Sequence, residues 1–160
     1  MYEAPALSAL PPAQLHAELQ SQLSGLIAGE PNALANAANC AALIFAQMPD
    51  LNWAGFYYVE PESGDLVVGP FQGKPACARI APGKGVCGAA VARGETILVP
   101  DVHAFPGHIA CDAASRSELV VPLRRNGEII GVLDLDSPLP NRFTAEDQAG
   151  FEALMQILFK

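Results

Sequence analysis

The stretch ELVVPLRRNGEIIGVLDL, Glu118 to Leu135, decides the fold. Two apolar, β-branched runs, Glu118 to Leu123 and Glu128 to Leu135, flank Asn126-Gly127. Both turn residues tolerate positive φ, so the runs read as an antiparallel hairpin closed by a tight turn. Upstream lies a second hairpin: Trp53 to Val59, the turn Pro61-Glu62-Ser63-Gly64, then Asp65 to Val68. Between the hairpins, Ala76 to Ile80 and Thr96 to Val99 read as short strands and Gly85 to Arg93 as a short helix.

Helical periodicity brackets these strands. Leu15, Leu19, Leu23, Leu26 and Ile27 recur at helical spacing after Pro12, and Gly29 with Pro31 closes the segment. A second stripe, Leu34, Ala37, Ala38, Ala41, Ile44, Phe45 and Met48, stops at Pro49; its alanines permit close packing. At the far end, Thr144 with Asp147 forms a capping-box pattern ahead of Phe151, Leu154, Met155 and Leu158. Helices at both ends and hairpins between them predict an α+β domain, with a central antiparallel sheet and the N- and C-terminal helices packed mainly on one face. A single domain is expected over residues 1–160, with residues 1–10 as a loose N-terminal segment.

Composition agrees and narrows the partners. Of 160 residues, 51% are hydrophobic and 16% charged, enough apolar content for one core. No apolar run approaches the roughly 20 residues that cross a bilayer. The first basic side chain is Lys74, so neither a secretory signal nor a transit peptide is expected and the location is read as cytoplasmic. Seventeen acidic against nine basic residues give a net charge of −8, which repels phosphate backbones and anionic lipid, so neither nucleic acid nor a membrane is expected as a partner.

Three of the four cysteines fall in turn-rich sequence: Cys77, Cys87 and Cys111. In a reducing compartment such thiols point to redox or nucleophilic chemistry rather than to a disulfide framework. Cys111 lies with His103 and His108 in Asp101 to Ser117, an aperiodic stretch longer than most loops of compact domains. Neighbouring positive charge there would favour the reactive thiolate; an inert buried cysteine is the plain alternative. Either Cys77 or Cys87 could condense with a sulfenic acid on Cys111. Cys40, in the alanine-rich helix, reads as core. A structural zinc site is not expected, because such sites use closely spaced pairs and here the nearest cysteines, 77 and 87, are ten apart. The glycines around Lys84 do not match a phosphate-cradling loop, and no Ser-His-Asp pattern is present.

Acids form the other constellation. Strand alternation puts Asp134 and Asp136 on one face, and Glu118 opens the partner strand. On a solvated face they are ordinary. In a cleft, three converging carboxylates would force at least one to keep a proton at neutral pH, and a protonated carboxyl can donate to a departing oxygen. Trp53 and Tyr57, on one strand face, read either as an apolar wall of that cleft or as core.

Taken together, Leu51-Asn52-Trp53-Ala54-Gly55-Phe56-Tyr57, Gly69-Pro70-Phe71-Gln72-Gly73-Lys74-Pro75-Ala76-Cys77, Gly83-Lys84-Gly85-Val86-Cys87-Gly88, Pro100-Asp101-Val102-His103-Ala104-Phe105-Pro106-Gly107-His108-Ile109-Ala110-Cys111-Asp112 and Gly131-Val132-Leu133-Asp134-Leu135-Asp136-Ser137 resemble the free methionine-(R)-sulfoxide reductase family. That resemblance implies a stand-alone GAF domain, commonly a homodimer, which reduces the R epimer of free methionine sulfoxide with thioredoxin as reductant and no bound cofactor or metal. It implies Cys111 as nucleophile, Cys77 as principal resolving thiol and Cys87 as a second one. Glu118, Asp134 and Asp136 would bind and protonate the substrate, with Trp53 and Tyr57 packing against it. The competing expectation is a GAF module that senses a small ligand without catalysis.

Overall fold

The computed structural model describes Leu7 and residues 9–160. The chain runs α1 (Pro12–Ile27), α2 (Ala33–Gln47), β1 (Trp53–Val59), β2 (Leu66–Gly73), β3 (Arg79–Ile80), α3 (Gly85–Arg93), β4 (Ile97–Val99), β5 (Ser117–Arg125), β6 (Glu128–Ser137) and α4 (Ala145–Leu158). The six strands form one sheet in the order β3-β2-β1-β6-β5-β4, and every neighbouring pair is antiparallel. The two hairpins are thus the halves of the sheet, joined where β1 meets β6.

Local chemistry sets the ends of these elements. Asn126 and Gly127 take φ of 52° and 80°, so the turn between β5 and β6 is of the kind the dipeptide predicts. The Asn32 side chain caps α2 by accepting from the Ala35 N–H at 3.0 Å. Thr144 and Asp147 close a reciprocal capping box on α4. Gly94, at φ 67°, ends α3 in the left-handed conformation that glycine adopts without strain.

Alternation along the strands fills both faces of the sheet. Phe56, Leu119, Val121, Leu123, Leu133 and Leu135 pack against α1, α2 and α4, through Leu19, Leu23, Ile44, Phe151 and Leu154. Trp53, Tyr57, Val120 and Val132 face the other way, onto Val86, Cys87 and Ala90 of α3. Three helices therefore share one face, as the sequence implies, and α3 alone covers the opposite one. Cys40 is fully buried beneath the three-helix face, where burial pushes its thiol up.

Some boundaries differ from the sequence reading. β2 runs on to Gly73, past Pro70, whose missing N–H is tolerated because the β3 side of β2 is paired only as far as Val68. β3 is two residues rather than five, since the chain over 74–77 leaves the ladder and carries Cys77 elsewhere. The stretch from Asp101 holds one short 3-10 turn, Val102–Ala104, and Ser117 joins β5. Residues 1–6 and 8, within the segment expected to be loose, lie outside the described residues. Leu7 is buried in the core, and its N–H donates to Gln47 Oε1 at 3.1 Å.

Gly131 is required by close approach. A Cβ on Gly131 would run into the Tyr57 carbonyl oxygen across the β1–β6 ladder and lie 3.0 Å from Tyr58 Cα. Both are backbone atoms that cannot rotate aside, so Gly131→Ala is expected to destabilise the domain by about 1–3 kcal/mol in urea titration. An unchanged midpoint would show that the ladder yields there.

Candidate active site

The α3 side of the sheet narrows into a pocket where β1, β5 and β6 run side by side. Asp136 lies directly opposite Trp53 on one neighbour and opposite Glu118 on the other, so these three side chains share a face. Asp134, two residues back, joins them on that face. The residue across from Asp134 on β1 is Gly55, which adds no side chain. α3 closes the pocket from above with Cys87, and the loop between β4 and β5 brings His108, Cys111, Asp112 and Ser115 to its rim.

Trp53 and Tyr57 do more than pack. The Trp53 ring stacks between Tyr57 and Phe71, with centroids 5.8 Å and 5.2 Å away. Its Nε1–H donates to the Lys74 carbonyl at 3.1 Å, and the Tyr57 hydroxyl donates to the Cys77 carbonyl at 3.0 Å. The aromatic wall thereby grips both ends of the segment that carries Cys77. From this position Cys77 forms a disulfide with Cys111, their Cα atoms 5.8 Å apart and 34 residues apart in sequence. Among the described residues, Cys40 and Cys87 are the free thiols.

The electrostatics are those of a desolvated acidic cluster. Glu118 and Asp134 are 5% and 7% exposed, which means that water does not solvate their charges. Burial, then the charge of Asp136, holds the Glu118 carboxyl well above the usual carboxylate range. Burial and Glu118 do the same to Asp134, and burial and Asp134 to Asp136, where Ser115 opposes the rise. Cys87 is pushed well up by burial and then by Asp134. Burial and mutual repulsion thus favour the protonated forms of these carboxyls relative to those of an exposed acid. Asp134 Oδ1 is buried and accepts no hydrogen bond. His108 Nε2 lies 3.5 Å from Glu118 Oε2, while burial lowers the imidazole pKa and favours its neutral form.

The rim has a tether that residue spacing did not reveal. Asn52 Nδ2 donates to Asp112 Oδ2 at 3.1 Å and to Ser115 Oγ at 3.0 Å, pinning the loop beside Cys111 to the start of β1. The Ala114 N–H, Asn52 and, at 3.8 Å, the Lys74 ammonium lower the Asp112 pKa, so this carboxyl is ionised. Of the residues read as candidates, Trp53, Tyr57, Cys87, Cys111, Glu118, Asp134 and Asp136 line the one pocket, and Cys77 reaches it through the bridge. His103 does not; it sits exposed in the 3-10 turn. Asn52, Lys74, Asp112 and Ser115 were visible only as short polar residues in loop sequence, a pattern too common to mark a site.

A disulfide at the rim of a pocket floored by buried acids, on a sheet of this order, points to the class. The GAF domain family model matches residues 37–158, and the chain belongs to that family. It belongs more narrowly to the free methionine-R-sulfoxide reductases, a family of oxidoreductases. The chain is 52% identical to the free methionine-R-sulfoxide reductase of Escherichia coli, over 92% of this chain and 88% of that one. It is 42% identical to the Saccharomyces cerevisiae enzyme of that name, over 89% and 83% of the two chains. The crystal structure of the Neisseria meningitidis free methionine-R-sulfoxide reductase with its substrate superposes with a TM-score of 0.93 at 44% identity, covering 98% of this chain and 93% of that one. Among the described residues, no helix is long and apolar enough to cross a membrane.

Proposed function

We propose that this chain reduces free L-methionine-(R)-sulfoxide to L-methionine, with Cys111 as nucleophile, Cys77 as resolving thiol and Glu118, Asp134 and Asp136 as the groups that hold and protonate the substrate. The observation that carries the reading is the Cys77–Cys111 disulfide at the edge of a pocket lined by three buried carboxyls whose pKa values are raised. The reactants balance on these groups alone. The Cys111 thiolate attacks the sulfoxide sulfur while a carboxyl gives its proton to the sulfoxide oxygen. The hydroxyl so formed then passes from the substrate sulfur to the Cys111 sulfur as the new S–S bond and the old S–O bond break, leaving methionine and a sulfenic acid on Cys111. The Cys77 thiol attacks that sulfenic sulfur, water leaves, and the bridge forms. Two electrons have moved from two thiols to the substrate, so no cofactor is required.

A dithiol protein of the thioredoxin type would return the pair to thiols by exchange. Cys87 is the second candidate for resolution, but its high pKa makes it a poor thiolate while the acids stand beside it. The Trp53 and Tyr57 faces would hold the apolar part of the substrate, and the ionised remainder of the acid cluster its ammonium. The same reading carries a homodimer in the cytoplasm, which light scattering of the purified protein tests.

The deciding experiment is epimer-resolved chromatography after incubation with dithiothreitol, using free and peptide-embedded methionine sulfoxide. Loss of the free R epimer alone is expected; no turnover at high enzyme concentration would favour a ligand-sensing domain. Cys77→Ser is expected to complete one turnover and then lose thioredoxin-dependent recycling. A steady-state rate equal to that of the parent would move the resolving role to Cys87.

A further inference from the structure

The pocket floor holds donor atoms that lack a cationic partner. The Cys87 sulfur, one oxygen of Glu118 and one of Asp134 all lie within 4.8 Å of one another, and all three residues are buried. They come from α3, β5 and β6, so helix-on-sheet packing fixes their spacing. Asp134, 93% buried by its 7% exposure, hydrogen-bonds Glu118 and Cys87 through its carboxyl, while its buried Oδ1 has no hydrogen-bond partner. Lys74, the one Lys or Arg among the pocket-lining residues, stays at the rim, three-quarters exposed beside Asp112. His108 Nε2, 3.5 Å from Glu118 Oε2, supplies a further nitrogen near the set.

We propose that Cys87, Glu118 and Asp134 form a binding site for a thiophilic divalent cation, Zn²⁺ or Cd²⁺, whose occupancy blocks the pocket. Zinc takes thiolate, carboxylate and imidazole donors in a four-coordinate shell, with ligand atoms about 3.5 Å apart, so a side-chain adjustment of about an ångström closes the set around it. Hard cations such as Mg²⁺ are disfavoured, because they keep water and oxygen ligands in place of sulfur. A bound cation would neutralise the clustered carboxylates, give Asp134 Oδ1 a partner and turn Cys87 into a thiolate. Each ligand that holds a proton must release it to water, so binding tightens as pH rises. Tyr57 from β1, Asp136 from β6, His108 and Asp112 from the rim loop and Lys74 at the rim are the other titratable groups lining the pocket, and they share in that dependence. The inhibitory half of the proposal rests on the reductase reading; the binding half does not.

The bridged protein isolates the site, because Cys77 and Cys111 are then consumed and Cys40 is fully buried on the opposite face of the sheet. Co²⁺ added to the bridged protein is expected to raise a near-ultraviolet thiolate-to-cobalt band that saturates at one equivalent and is displaced by Zn²⁺. Cys87→Ser should remove the band. Asp134→Asn should weaken zinc binding roughly 100-fold or more, since losing a ligand costs at least what losing an outer-shell partner does. In pre-reduced protein, one equivalent of Zn²⁺ should slow single turnover and a chelator should restore it. Absence of the band in the bridged wild-type protein overturns the site, whatever the variants do. An unaltered band in Cys87→Ser also overturns it. Full single turnover with the site occupied overturns the inhibition. A protein that shows the band but never turns over substrate retains the site and sinks the reductase reading instead.

Discussion

Cys111→Ser is expected to lower reduction of free methionine-R-sulfoxide by at least about a thousandfold, because a serine hydroxyl at neutral pH is neither ionised nor able to accept the oxygen as a sulfenic acid. The loss should appear in single turnover as well as in steady state, since the first bond-forming step is removed. The same substitution abolishes the bridge to Cys77, so free-thiol titration under oxidising conditions should show Cys77 reactive where the parent shows neither cysteine. Substantial activity in Cys111→Ser would move the nucleophile to another thiol, with Cys87 the candidate inside the pocket.

The second large effect is expected at the acids. Glu118→Gln and Asp136→Asn should each slow the chemical step by roughly 10²–10⁴-fold, the usual worth of a placed general acid. Rate and affinity separate the roles: a change in KM alone would leave these side chains as binding groups. The pH dependence has a defined sign. The donor must be protonated, so single-turnover rate should fall as pH rises through the raised pKa of the cluster, and the amide variants should lose that limb. Stability should fall with rising pH as well. A carboxyl whose folded pKa is raised contributes stability fully below its unfolded value of about 4 and loses it as pH rises through the folded value. At neutral pH the parent is therefore penalised for burying Glu118 and Asp134, and Glu118→Gln or Asp134→Asn should unfold at higher urea concentration. Equal or lower stability in both variants at pH 7 would mean that the acids are solvated or paired.

The fold was legible where a local rule is strong. Asn126-Gly127, the Thr144–Asp147 cap and the heptad-like leucines of α1 each dictate backbone or packing without help from distant residues, and the structure follows them. The pairing of β1 with β6 was not legible: it joins residues some eighty positions apart, and no local signal specifies which edge a hairpin presents. That pairing builds the site, because it sets Trp53 opposite Asp136 and completes the acid face. Alternation foretold that Asp134 and Asp136 share a side, but only the presence of α3 above them decides that the side is buried. The Cys77–Cys111 partnership and the Asn52 tether are likewise tertiary facts; as sequence, both are single residues in loops.

The span closed by the Cys77–Cys111 bridge has a thermal consequence. Linking residues 34 apart removes loop freedom from the unfolded chain worth about 3–4 kcal/mol in the chain-entropy account. α3 and β4 lie wholly inside that span, so the helix over the acids belongs to the segment whose unfolded freedom the bridge restricts. A melting curve would then report the redox state directly, with the oxidised protein melting several degrees above the reduced one. In the reaction proposed above, each turnover would take the protein from a reduced form to a bridged one that withstands more heat.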